Sequence, residues 1–110
     1  MRVFVAGASG AIGRPLIGQL IEAGHEVAGM TRREDRVAEI RGRGADCVVC
    51  DVFDPEALAR AVAGARPEVV VHELTALPPD LDPRRKGIYE ANNRIRREGT
   101  RNLVIAARAA

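Results

Sequence analysis

Val3-Phe4-Val5-Ala6-Gly7-Ala8-Ser9-Gly10-Ala11-Ile12-Gly13 is the stretch on which the fold turns. The apolar run from Val3 to Ala6 is short and ends in Gly7, which reads as a β-strand followed by a turn. The period then changes. Ile12, Leu16, Ile17, Leu20 and Ile21 fall on one side of a helix, with Gly24 placed as its C-cap. Pro15 lacks an N–H and so belongs in the first helical turn, which predicts a helix start near Ala11 or Ile12. The order is strand, glycine loop, helix.

The same alternation repeats downstream. Glu26 to Met30 reads as a second strand, Glu34 to Arg41 as a short helix running into Gly42 and Gly44, and Cys47 to Val52 as a third strand. Asp54-Pro55-Glu56 opens another helix, with Asp54 as N-cap, Pro55 at the first helical position and Glu56 beside the helix dipole. That helix carries Leu58, Ala61 and Val62 and is expected to stop at Gly64. Glu68 to His72 is a fourth strand, whose continuous Val69-Val70-Val71 suits a strand covered on both faces. From Ala76 to Gly87 prolines and charges break any period, so a loop is expected, followed by a long helix from about Ile88. Its expected inner side carries Ile88, Ala91, Ile95, Asn102, Leu103 and Ala106. The expectation is an α/β fold of the Rossmann type: a parallel sheet of about four strands in the order 3-2-1-4, flanked by helices with right-handed crossovers. The last helix meets no stop signal, so we expect the architecture to be cut before a fifth strand, leaving a single NAD(P)-binding portion over residues 1 to 110 without its substrate domain.

Composition agrees. Apolar residues make up 46% of the 110 residues and aromatics only 3%, so the core has to be built from Ala, Val, Ile and Leu packed between layers. No run approaches the roughly 18 apolar residues of a membrane span, and the start lacks a signal-peptide pattern, so a cytoplasmic location and no membrane partner are expected. A formal net charge of +2 gives no strong field for nucleic acid, and no aromatics interleave the arginines of the last helix. Cys47 and Cys50 form a C-x-x-C, but on a strand residues three apart point to opposite faces about 10 Å apart, beyond the roughly 7 Å a disulfide allows. They read as small buried hydrophobes.

The glycine loop carries the chemistry. Between a strand and a helix, backbone N–H groups and the helix N-terminus hold the pyrophosphate of a dinucleotide. Gly7 permits the tight turn, Gly10 lets phosphates approach without a Cβ in the way, and Gly13 allows close packing; the bland alternative is a turn kept for packing alone. At the end of the second strand, where an acidic residue would take the ribose hydroxyls of NAD, stand Thr31-Arg32-Arg33. A guanidinium can grip the 2′-phosphate of NADP through a fork of hydrogen bonds, and about 2 kcal/mol of such contact is a preference of roughly thirtyfold. NADP(H) is therefore expected, with NAD(H) as the alternative, because the arginines could instead be a solvated helix start beside Glu34 and Asp35, one of which could reach a ribose. Asp51-Val52, at the end of the third strand, would accept from the adenine amino group and pack on its ring, or would simply terminate a strand.

With Gly-x-x-Gly-x-x-Gly at Gly7, Gly10 and Gly13, Asp51-Val52, and Gly99-Thr100-Arg101-Asn102-Leu103, the chain resembles the extended and atypical short-chain dehydrogenase/reductases, in particular the NAD-dependent epimerase/dehydratase group. The resemblance spans essentially the whole chain. It implies that Gly7, Ser9, Gly10, Ala11, Ile12 and Gly13 hold the pyrophosphate, Asp51 the adenine, and that Leu74, Thr75 and Ala76 line the nicotinamide and its ribose. His72 is read as a packed strand-end residue, and Asn93 looks like the family's structural asparagine, although its spacing to Gly99-Thr100 departs from the common pattern. The family's catalysis uses a tyrosine followed four positions later by a lysine that lowers its pKa. Here the only tyrosine is Tyr89, position 93 is Asn93, and the only lysine, Lys86, precedes it. No catalytic residue is assigned to this chain, and substrate contacts are expected from elsewhere in the protein. The expected function is thus the NADP(H)-binding portion of an oxidoreductase or epimerase/dehydratase acting on a small molecule. The alternative is a non-catalytic module that senses NADP(H). By resemblance, the last helix could also form one side of a homodimer.

Overall fold

A computed structural model of the chain describes residues 1–75, 87 and 89–110. Four parallel strands, β1 (Arg2–Ala6), β2 (Glu26–Thr31), β3 (Asp46–Val49) and β4 (Val69–His72), form one sheet in the order β3-β2-β1-β4. Between them run α1 (Gly13–Glu22), α2 (Val37–Gly42), which follows a 3₁₀ turn at Glu34–Arg36, and α3 (Pro55–Ala65). The last helix has three parts: α4 (Glu90–Arg94), a π-helical turn (Ile95–Gly99) and α5 (Thr100–Ala109). This is the expected Rossmann-type arrangement and strand order.

β1 lies at the centre, and the two-residue repeat of a strand sorts its side chains into two cores. Phe4 and Ala6 face a cluster with Met30, Leu58, Val62, Leu103 and Ala106, while Val3 and Val5 face one with Ala8, Ile17, Val27 and Ile40. Helices thus cover both faces of the sheet, as a parallel sheet requires. Cys50 belongs to the first cluster and Cys47 packs against the second, so the two free thiols lie on opposite faces.

Several boundaries differ from the sequence reading. α1 begins at Gly13, because the loop carries on through Ile12, which serves as N-cap. β3 ends at Val49, so Asp51-Val52 sits in the turn beyond the strand, where the Asp51 carboxylate takes the Phe53 N–H at 2.9 Å. α3 continues past Gly64 and is closed by Arg66 in a left-handed conformation (φ 49°), while its N-terminus is capped as expected by Asp54, which accepts from the Ala57 N–H at 3.1 Å. β4 is covered on both faces, Val70 packing against the first cluster and Val71 against the second, but only partly: Val69 is exposed and the others are half-buried, as suits an edge strand among the described residues. Ala91 is exposed rather than turned inward, and Ile88 lies outside the described residues. The expected loop from Ala76 to Gly87 also lies outside them, except for Gly87. No described helix is long and apolar enough to cross a membrane.

Candidate functional site

The strand order reverses direction beside β1, with β2 on one side and β4 on the other, and in open α/β sheets such a switch point leaves a crevice beyond the carboxyl ends of the strands. An open cleft lies there. Its walls come from Gly7, Ser9 and Gly10 after β1, Met30 to Arg33 at the end of β2, Cys50 to Phe53 after β3, Glu73 to Thr75 after β4, and Ile95 of the π turn.

The glycine loop is built by two different demands. Gly7 has φ 91°, and a Cβ there would lie 2.4 Å from the carbonyl oxygen of Glu73; a Cβ on Gly13 would lie 2.1 Å from the carbonyl oxygen of Gly7. Both positions are closed to any side chain by the protein's own backbone. Gly10 differs: the nearest atom to its Cβ would be the carbonyl oxygen of Gly7 at 3.4 Å, an ordinary contact. Internal packing therefore does not require glycine at 10, which lines the cleft, and a ligand approaching the backbone is the physical demand left. Behind the loop, the N–H groups of Gly7 and Ala8 donate to the Met30 carbonyl oxygen at 3.1 and 3.0 Å, and the Glu73 N–H donates to that of Ala6 at 2.8 Å. The N-terminus of α1 has no side-chain cap and no acidic residue in its first turn, in contrast to the Asp54-capped α3. It presents its positive end without an internal counter-charge.

At the end of β2, Thr31 is buried and its hydroxyl bonds with Ser9 Oγ at 3.1 Å, which ties the glycine loop to the strand. The same oxygen accepts the Arg33 N–H at 3.1 Å. The two arginines then diverge. Arg33 reaches Asp35 through Nε at 3.2 Å and Nη2 at 2.8 Å, and the hydrogen bond from Arg33 holds the Asp35 carboxyl below its usual range. Arg32 is exposed, lines the cleft and forms no ion pair among the described residues. Nearby, Arg14, Arg36 and Arg43 converge on Glu39 at 3.7, 3.4 and 3.4 Å. Partial desolvation works to raise the Glu39 pKa, but these three arginines outweigh it and lower the pKa.

Beyond β3, Asp51 is exposed, with one carboxylate oxygen committed to the Phe53 N–H, and Val52 is buried in the floor. Asn102 of α5 secures this turn by donating from Nδ2 to the Val52 carbonyl oxygen at 2.9 Å. The Arg94 guanidinium lies 3.9 Å over the centre of the Phe53 ring and also bonds Glu98. Burial raises the Cys50 thiol pKa, with Asp54 and Asp51 adding to the effect, so this cleft cysteine stays a protonated hydrophobe.

The structure thus brings Gly7, Ser9, Gly10, Thr31, Arg32, Arg33, Asp51, Val52, Leu74 and Thr75 to one cleft. Ala11 and Ile12 are exposed and outside its lining, Gly13 is buried beneath the loop, and Ala76 lies outside the described residues. Asn93 is exposed, and the asparagine that braces the cleft is Asn102. Met30, Cys50, Phe53, Glu73 and Ile95 join the lining without having been singled out. For Phe53 and Glu73, position directly beside Asp51-Val52 and before Leu74 was a usable signal; for Ile95 only the folded helix supplies one. Among the described residues, no cluster of three metal-binding side chains exists.

Residues 7–110 match the NAD(P)H-binding family. Among curated proteins, the chain is 48% identical to a 3-diazoavenalumate denitrifying reductase of a Streptomyces species, an alignment covering 100% of this chain and 34% of that protein. Among solved structures, it superposes on the UDP-glucose 4-epimerase of Thermus thermophilus in complex with NAD, with a TM-score of 0.79 and 27% identity, over 98% of this chain and 34% of that one. It also superposes on a UDP-glucose-4-epimerase from Stenotrophomonas maltophila with bound NAD, at a TM-score of 0.80, 22% identity, and coverage of 100% and 34%, a likeness of fold. The chain spans about a third of the length of the curated relatives it matches. A parallel sheet in the order β3-β2-β1-β4, a glycine loop under its switch point and the match over residues 7–110 place this chain in the NAD(P)H-binding family, as a Rossmann-type domain of the short-chain dehydrogenase/reductase kind that its epimerase neighbours share.

Proposed function

We propose that this chain is the NADP(H)-binding portion of a reductase, with NADP(H) favoured over NAD(H) and the tyrosine–lysine pair and substrate contacts supplied by other parts of the protein. The reductase assignment is supported by the 48%-identical relative, whose name describes a reductase. The bound nucleotide would supply the hydride; the residues of this chain bind and orient it.

The residues present fit the cofactor. Gly10 and the uncapped start of α1 accommodate the pyrophosphate, the Asp51–Phe53 turn takes the adenine, and the Leu74-Thr75 segment borders the nicotinamide half. The observation that carries the NADP(H) preference is the unequal fate of two neighbouring arginines. Arg33 is engaged by Asp35, whereas Arg32 stands at the cleft with no carboxylate on it among the described residues, none of which brings an acidic side chain to the cleft at the end of β2. A doubly charged 2′-phosphate would find a guanidinium there, and a bare ribose would find no carboxylate among the described residues at the end of β2. Calorimetric titration of the intact protein with NADPH and NADH tests this: tighter binding of NADPH by about tenfold or more is expected, and equal or tighter binding of NADH overturns it.

A further inference from the structure

His72 ends β4 at the register position of Ala6 and is only partly exposed. Its ring makes two hydrogen bonds in opposite directions. The backbone N–H of Leu74 donates to Nδ1 at 3.2 Å, and Nε2 lies 3.1 Å from the hydroxyl oxygen of Thr100, the first residue of α5. A backbone amide can only donate, so Nδ1 must be the unprotonated nitrogen, and the neutral ring then carries its hydrogen on Nε2 and donates it to Thr100. A protonated ring has no acceptor left and would turn an N–H toward the N–H of Leu74.

We propose that His72 is a positioning residue for the nicotinamide half of the cleft: its neutral ring fixes the Leu74-Thr75 wall to the last helix, and protonation releases that wall and weakens cofactor binding. The inference rests on the cofactor placement proposed above. Leu74 and Thr75 line the cleft directly after the residue that holds them, and their segment is otherwise tied to the sheet by the bond from the Glu73 N–H to the Ala6 carbonyl oxygen. The ring therefore fixes the outermost part of the wall. Its surroundings favour the neutral form: on the β1 side it meets Ala6, on the α5 side the uncharged Thr100, and Glu73 is the charged group that acts on it among the described residues. Burial pushes the His72 pKa below its usual value, and Glu73 only partly restores it.

The test is to titrate the intact wild type, His72→Ala and His72→Asn with NADP⁺ and with 2′-phospho-ADP-ribose between about pH 5.5 and 8. The second ligand carries the adenosine, the 2′-phosphate and the pyrophosphate but no nicotinamide ring, so the 2′-phosphate's own titration near about pH 6 cancels in the ratio of the two affinities. In the wild type that ratio should fall on acidification by roughly five- to tenfold, the worth of one hydrogen bond. In His72→Ala it should be low at every pH. In His72→Asn, whose Oδ1 still accepts from the Leu74 N–H but whose shorter side chain neither reaches Thr100 nor titrates, it should be flat with pH and lie between the values of the neutral wild type and of His72→Ala. A ratio flat with pH in the wild type, or acid sensitivity retained in His72→Asn, overturns the proposal; should His72→Ala fail to fold, the asparagine variant decides. A wild type that binds neither ligand near neutral pH overturns the cofactor reading itself, and this inference with it.

Discussion

The amide of Asn102 donates to the carbonyl oxygen of Val52 at 2.9 Å, across fifty residues of sequence, and so fastens the turn that follows β3 to the last helix. Val52 is buried, so its carbonyl has little water to turn to. Asn102→Leu should leave that carbonyl unpartnered and cost about 1–3 kcal/mol, read as a lower urea midpoint at unchanged slope. An unchanged midpoint would mean that water replaces the amide.

Gly10 and Gly13 should separate binding from folding. Gly13→Ala puts a Cβ 2.1 Å from the Gly7 carbonyl oxygen, backbone that cannot swing aside, and should destabilise the protein by at least the roughly 1–3 kcal/mol usual for overpacking. Gly10→Ala meets only an ordinary contact at 3.4 Å and should leave the thermal midpoint within a few degrees while weakening NADP⁺ by about tenfold or more. A Gly10→Ala protein that binds normally would remove the pyrophosphate from that spot.

Arg32 and Arg33 are neighbours with unequal prospects. Replacing Arg32 with alanine should reduce the preference for NADPH over NADH by about tenfold, or about 1.4 kcal/mol, with NADH affinity barely changed. Arg33→Ala breaks an exposed pair with Asp35 and should move the preference by less than about threefold. The reverse order in parallel titrations would assign the phosphate to Arg33.

Acid should destabilise the fold partly through His72. Because burial lowers its folded pKa below the 6.5 of an unperturbed histidine, protons bind the unfolded chain more readily. The stability this group contributes is fully present above pH 6.5 and is lost as the pH falls through the folded value. Urea unfolding of wild type and His72→Asn at about pH 7.5 and about pH 5.5 should show a larger acid loss in the wild type; equal losses would exclude His72 as the source.

Much of this arrangement was legible in the residues. Val3 to Ala6 running into glycine, the change of period at Ile12, and Asp54-Pro55 placed strand, loop and helix with little ambiguity, because each signal is local. The edges were harder to place. Nothing in Cys47 to Val52 shows that pairing with β2 stops at Val49, since that depends on the partner strand ending at Thr31. Arg66 closing α3 in a left-handed conformation, where Gly64 was the natural candidate, is likewise a tertiary outcome. In the cleft, the sequence indicated both arginines equally; only the folded chain shows Asp35 engaging one of them. His72 and Asn102 stood in the sequence as strand-end and inward-facing residues, but their partners, Thr100 and Val52, are 28 and 50 positions away.

The π turn at Ile95–Gly99 has a consequence for how this helix tolerates change. In an unbroken α-helix, eight residues advance the side-chain direction by about 80° beyond whole turns, so Ile95 and Leu103 would diverge. One extra residue held in a wide turn takes up about 100° and brings the two to within about 20° of a common line. Ile95 can then reach the cleft while Leu103 stays in the core. The turn is in effect a one-residue insertion that keeps two surfaces in phase. Deleting one residue from Arg96 to Glu98 should therefore let the wide turn close to an ordinary α-helical one with Ile95 and Leu103 still in phase, whereas inserting a second residue would set the cofactor cleft and the hydrophobic core competing for the same helix rotation.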